Sequence, residues 1–204
     1  MISLPVADIL ISPRYRLSSW QALTLQTEED WLTAVNIVED RIKARFIRWV
    51  DEIIEERYSG FVIVALDCLL LDTLVGFQEG HPPRKTKSAY VSFLTGSKYF
   101  SFDEDTALSF YENVRNGLIH DTETRRKWII RKAEPRNKII EKDAGGNFIL
   151  NRTMFHNALK AELDDWVSKM KMGDQTAREK MRARMQEIVA IILQNRRSLP
   201  LRKF

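Results

Sequence analysis

The chain has 204 residues, 44% of them hydrophobic, enough to bury a core, and its length suits one domain or one domain with an appendage. Its 32 basic against 28 acidic residues give a formal charge of only +4, which neither demands nor forbids a polyanionic partner, because such binding depends on where the cations cluster. A single cysteine, Cys68, excludes an intramolecular disulfide and a cysteine-rich zinc site; no signal peptide is read at the N-terminus and the longest apolar run falls short of a membrane span, so a reducing cytoplasm is expected.

Residues 1–26 mix Pro5, Pro13 and short apolar runs without a helical period, and read as an extended or irregular arm. Thr27-Glu28-Glu29-Asp30 suits a helix start, with a side-chain oxygen for free amides and acids near the positive end of the dipole. Trp31, Val35, Val38, Ile42, Phe46, Trp49, Val50 and Ile53 then recur at steps of three and four, predicting one stripe on a long amphipathic helix ending near Tyr58. A second helix, about Phe61 to Gln78, is apolar on nearly every side. It is expected either to be the most buried helix or to pack one face inside the chain and another against a second copy. Asp67 and Asp72 interrupt it and must find partners or water, as salt bridges, helix-end contacts or catalytic groups. Cys68, in the same run, reads as a buried, inert thiol.

Gly80 to Lys87 breaks the helix with two prolines and carries Arg84, Lys85 and Lys87, a solvated loop or a phosphate-contacting one. Ser88 to Phe102 reads as a short helix or turn. Asp103-Glu104-Asp105 offers caps for a third main helix over about 103–120, with its stripe at Ala107, Phe110, Tyr111, Val114 and Leu118. Glu112, Asn116 and His120 follow at steps of four as a polar ridge. Arg115 flanks that ridge, about 140° around the helix from His120. The two can meet only through the long arginine side chain, an unwinding at Gly117, or a second copy of the chain.

Beyond His120 the period changes. Lys127–Lys132, Asn137–Lys142 and Phe148–Leu150 are short β-like runs, and Asp143 to Asn147 is a turn, predicting a β-hairpin in which 137–142 pairs with 147–151. This stretch carries Arg125, Arg126, Lys127, Arg131, Lys132, Arg136, Lys138 and Lys142, either a solvated charged surface or a docking ribbon for RNA. Helical period returns over about 152–171 and, after the stop at Gly173 and the cap at Asp174, to about Gln194. The expected fold is a mainly α, antiparallel bundle of about five helices with a small β-hairpin inserted between the third and fourth. It forms a single domain divided as arm 1–26, core helices 27–120, basic hairpin insertion 121–151, C-terminal helices 152–195 and basic tail 196–204.

A Gly-rich phosphate loop, a His-Glu-x-x-His pair and an acidic cluster with metal-ligand spacing are all lacking, so neither metal nor cofactor is expected. Of the three histidines, His81 reads as an exposed loop residue and His156 as structural or solvated, while His120 has a chemical neighbourhood. Metal-free RNA cleavage needs a group to take the 2′-OH proton, another to protonate the leaving 5′-oxygen, and positive charge to meet the phosphorane. A histidine can serve either proton role and an arginine supplies the charge.

The segment Phe110-Tyr-Glu-Asn-Val-Arg-Asn-Gly-Leu-Ile-His-Asp121 resembles the Arg-polar-x-x-x-His signature of the HEPN superfamily, and Phe61–Phe77 is similar to the penultimate helix of HEPN-like bacterial proteins. The resemblance covers about 27–120 and, loosely, the C-terminal helices; the hairpin at 121–150 departs from a minimal bundle. It implies a helical homodimer, many of whose relatives are metal-independent endoribonucleases of toxin–antitoxin or phage-defence systems. His120 would then be general acid/base, Arg115 the phosphate and transition-state stabiliser and Asn116 the orienter, with Glu112, Gly117 and Asp121 supporting. RNA would be the substrate, contacted by Arg84, Lys85, Lys87, Arg125, Arg126, Lys127 and Arg131, and a cognate antitoxin protein is a possible further partner, with no membrane involved. The alternative is a non-catalytic HEPN-like dimer binding RNA, a nucleotide or a protein.

Overall fold

The helix predicted after Thr27 begins where its capping side chain places it. In the computed structural model, which describes residues 9–82, 86–132 and 138–197, the Asp30 amide donates to Thr27 Oγ1 at 3.1 Å and α2 (Glu28–Ile42) follows a short α1 (Leu17–Gln21). Residues 1–8 of the arm and 198–204 of the tail lie outside the described residues.

The predicted stripe does not run unbroken to Ile53. A π-helical segment, Lys43–Ile47, joins α2 to α3 (Arg48–Ile53), and its wider turn advances the buried face from Ile42 to Ile47 and Val50. Trp49 turns outward as a result and is exposed.

The described residues of 9–41, 76–82 and 167–197 form one compact unit, whose buried side chains include Trp20, Trp31, Phe77, Met181 and Met185. Its α9 (Gln175–Arg197) starts as predicted, with Gly173 at φ 97° and the Ala177 amide donating to Asp174 Oδ1 at 2.9 Å.

The described residues of 42–75, 86–132 and 138–166 form a second unit, which contains every described residue of the predicted site. Phe110 is the hub of its aromatic core, with ring centres of Phe155, Trp128, Phe102 and Tyr90 at 5.1, 5.6, 5.8 and 6.3 Å. The predicted hairpin pairs as expected: β2 (Ile140–Lys142) lies antiparallel to β3 (Phe148–Asn151), with Ile140 opposite Leu150. Asp143 Oδ1 accepts the Gly145 and Asn147 amides in the turn. A third strand, β1 (Trp128–Arg131), adds parallel to β3, so the insertion is a three-stranded sheet ordered β1-β3-β2. Stacking of Trp128 on Phe148, with ring centres 4.7 Å apart, accounts for the added strand.

The second predicted helix, α4 (Gly60–Glu79), is 20 residues long, so by length and composition it is apolar enough to cross a membrane, contrary to the shorter span read from the sequence. Two of its three acids, Asp67 and Asp72, are engaged inside the second unit. Asp67, fully buried, meets His156 Nδ1 of α8 (Arg152–Lys171) at 2.7 Å, and the other ring nitrogen stands 3.4 Å from Asp51, which Lys160 also holds. Burial holds the Asp67 carboxyl above its usual range despite the histidine beside it. His156→Ala is expected to destabilise the protein by about 3–5 kcal/mol, because it strands a buried acid; urea denaturation followed by circular dichroism checks this, and a loss under 1 kcal/mol would refute it.

Candidate active site

The predicted third helix forms in three parts: α6 (Glu104–Phe110), a π-helical segment Tyr111–Arg115, and α7 (Asn116–Asp121). Asp103 caps it as expected, accepting the Thr106 amide at 2.7 Å. The wide turn has identifiable partners. Asn113 folds its side-chain amide onto the Ser109 carbonyl at 2.9 Å, and the Asn113 carbonyl accepts the Arg125 amide at 2.8 Å. Trp128 Nε1 donates to Ser109 Oγ at 3.0 Å, so the loop after the helix bonds into the widened turn and the first strand to the residue just before it. π turns of this kind inside helices are found frequently at functional sites.

Gly117 has a different role from the predicted one. α7 runs through it as regular helix, and a Cβ there would lie inside van der Waals contact of the Glu123 carbonyl oxygen. Its missing side chain admits the returning loop, whose Glu123 amide donates to the Gly117 carbonyl at 3.4 Å. The loop is tightly bent: Thr122, Arg126 and Lys127 hold left-handed φ of 56°, 46° and 65°. Asp121 supports it as an ion-pair partner of Arg125, whose Nε donates at 2.5 Å.

Arg115 turns toward α4. Its Nη2 donates to Asp72 Oδ2 at 2.8 Å, its Nη1 to Asn116 Oδ1 at 3.1 Å, and the guanidinium lies 5.4 Å from the Tyr111 ring centre. The pair is largely sheltered, with 18% of the Arg115 side chain and 22% of Asp72 exposed. Burial works against the guanidinium charge, but the Asp72 carboxylate outweighs it and holds the arginine above its ordinary pKa. Behind the pair, the Cys68 thiol faces the Tyr90 hydroxyl, and burial pushes the thiol up to about 12.

His120 occupies the last turn of α7, exposed and without a hydrogen-bond partner among the described residues. It does not meet Arg115. Nor does the predicted ridge act as one: Glu112 turns to Lys87 Nζ at 2.6 Å, Asn116 to Arg115, and His120 to solvent. The π segment between Glu112 and Asn116 breaks the four-residue register on which the ridge was predicted.

The basic residues divide similarly. Arg84, Lys85 and Arg136 lie outside the described residues. Lys87, Arg125 and Lys132 are matched with Glu112, Asp121 and Glu55, and Lys127 Nζ donates to the Gly145 carbonyl at 3.3 Å. Arg126, Arg131 and Lys138 are exposed and have no acidic partner among the described residues. A groove beside the π segment is lined by Thr86, Lys87, Ser88 and Tyr111. Among the described residues no group of three or more His, Cys, Asp or Glu gathers as metal ligands.

The partnership of Asp72 with Arg115 was not read from the sequence. The available signal was an acid in an otherwise apolar helix, which must find a charge or water, but nothing in linear spacing named residue 115. No protein-family model, curated protein or solved structure matches the chain.

Two measurements check these environments. Gly117→Ala is expected to lower stability by roughly 1–3 kcal/mol through the clash with Glu123, read as a fall in melting temperature; an unchanged value would show that the loop does not need that approach. Native Cys68 should react with iodoacetamide at pH 8 at least about a hundredfold more slowly than in the urea-unfolded chain, since a thiol with a pKa of about 12 is almost wholly protonated there.

Proposed function

We propose that the protein is a metal-independent endoribonuclease of HEPN type, acting as a homodimer whose site is completed by the second copy. The observation that carries this reading is one short stretch of helix. It bears an arginine fixed by Asp72 and Asn116 and, at its exposed end, a histidine with no partner among the described residues. A fixed guanidinium suits an anionic phosphorane, and an unengaged imidazole suits proton transfer.

In this reaction the ribose 2′-oxygen attacks phosphorus as a neutral imidazole takes its proton. The bond from phosphorus to the 5′-oxygen breaks as a protonated imidazole donates to that oxygen, leaving a 2′,3′-cyclic phosphate and a 5′-hydroxyl. One chain supplies one His120, and a two-fold dimer supplies the second proton carrier from the same residue type. Support for a second copy comes from α4, where Val62 and Leu69 are exposed on a face that runs at helical spacing through Leu66 to Asp72, and from exposed Ile119 beside His120. Arg126, Arg131 and Lys138 are the cations best placed to take RNA phosphates, since no described acid neutralises them. A toxin or phage-defence role, with an antitoxin to silence it, fits such an activity.

The second reading, a dimer that binds RNA without cutting it, is favoured by the ion pair already holding Arg115. The purified protein incubated with total cellular RNA in the presence of a chelator separates the two. Cleavage to cyclic-phosphate ends is expected, with His120→Ala reducing it at least about 10²-fold; full activity in His120→Ala, or activity restored only by added metal, would sink the mechanism. Leu69→Asp is expected to yield monomers by sedimentation and to abolish cleavage at concentrations where the wild type is active.

A further inference from the structure

The Asp72–Arg115 contact is incompletely satisfied. A guanidinium carries N–H donors on Nε and both Nη atoms, five in all. Here Nη2 serves Asp72 and Nη1 serves Asn116, while Arg115 Nε and Asp72 Oδ1, both buried, make no hydrogen bond among the described residues. Each terminal nitrogen therefore keeps one further N–H, and the carboxylate grips the arginine through a single oxygen. The Tyr111 ring lies against the guanidinium, and the sheltered Cys68 and Tyr90 close off the side of α4, so the side chain has few alternative positions.

Unbonded buried atoms alone do not mark a site, since Asp67 Oδ2 and His156 Nε2 of the enclosed pair share that state; what sets the Asp72 pair apart is its partial exposure together with terminal nitrogens that each keep a donor. A pair built to hold a cation in place while leaving donors for an incoming anion has this arrangement. We propose that Asp72 is a positioning residue of the site: its carboxylate on α4 fixes the Arg115 guanidinium so that the remaining Nη protons meet the non-bridging oxygens of an RNA phosphate. This rests on the ribonuclease reading above. Asp72 touches no substrate atom; it acts through Arg115, and Asn116 is its counterpart on the other terminal nitrogen.

The chemistry separates this role from a structural one. Removing the anchor leaves Arg115 charged and able to attract RNA, but no longer pre-oriented, so the loss should fall on the chemical step rather than on binding. Asp72→Asn keeps shape and a weaker acceptor, and Asp72→Glu keeps the charge. With a short single-stranded RNA as substrate, Asp72→Asn is expected to lower kcat about 10- to 100-fold with KM changed less than about threefold, and Asp72→Glu to recover most of the loss. In nitrogen-15 spectra of the uncut protein, slowly rotating Arg115 Nη resonances, assigned by their loss in Arg115→Lys, are expected in the wild type and not in Asp72→Asn. Wild-type cleavage with an undiminished kcat in Asp72→Asn overturns this inference alone. A loss confined to KM, or one that tracks only a lower melting temperature and is not recovered in Asp72→Glu, also overturns it. No cleavage by the wild type overturns the ribonuclease reading and this inference with it.

Discussion

A carboxylate taken out of water must be paired or neutralised, and α4 buries one acid fully and shelters another within a mainly apolar helix. Much of the second unit follows from that constraint. Asp67 calls for His156 and so brings α8 against α4, while Asp72 calls for Arg115 and so brings in the helix that carries His120. The first contact is completely enclosed and has Asp51 and Lys160 at its outer end; it serves packing. The second is partly reached by solvent and keeps unused donors. One helix thus specifies both a structural and a candidate functional partnership through the same residue type five positions apart.

The second constraint is the widened turn. A π segment shifts the direction of every side chain beyond it, and here it separates Glu112, which goes to Lys87, from Arg115, which goes to Asp72. The turn is sustained by the loop that returns over it, and that loop needs the bare Cα of Gly117 for its close approach. Asn113, Gly117 and Trp128 hold the segment from which Arg115 and His120 project. The same device at Lys43–Ile47 changes which aromatic faces outward, so in both places a local change of helical pitch rewrites a surface.

Electrostatics narrows the basic surface. Most cations near the motif helix already have acidic or carbonyl partners, as a nearly balanced composition makes common, and exposed pairs of this kind contribute little to stability. Arg126, Arg131 and Lys138 keep charge available to a polyanion. Contacts to phosphate would position a strand without reading its sequence, leaving specificity to other features.

Local signals in the sequence determined much of this protein. Thr27, Asp103 and Asp174 mark helix starts through side-chain caps; Gly173 marks a stop; the alternating runs around Asp143 to Asn147 specify a paired hairpin; and Cys68 within an apolar run is buried. Each depends on neighbours within a few residues, so linear spacing carries it. The motif from Arg115 to His120 was legible as a set of residue types, but its geometry was not. Ideal helical pitch predicted a ridge and an adjustable glycine, whereas the helix widens at Tyr111–Arg115, where residue 125 bonds to the Asn113 carbonyl, and the glycine accommodates a carbonyl from residue 123. The parallel strand Trp128–Arg131 and the partner of Asp72, 43 residues away along the chain, likewise arise from contacts between distant segments. A sequence can state that a buried acid needs a cation; only the tertiary structure decides which cation reaches it, because that choice depends on how helices pack and in which phase they present their side chains.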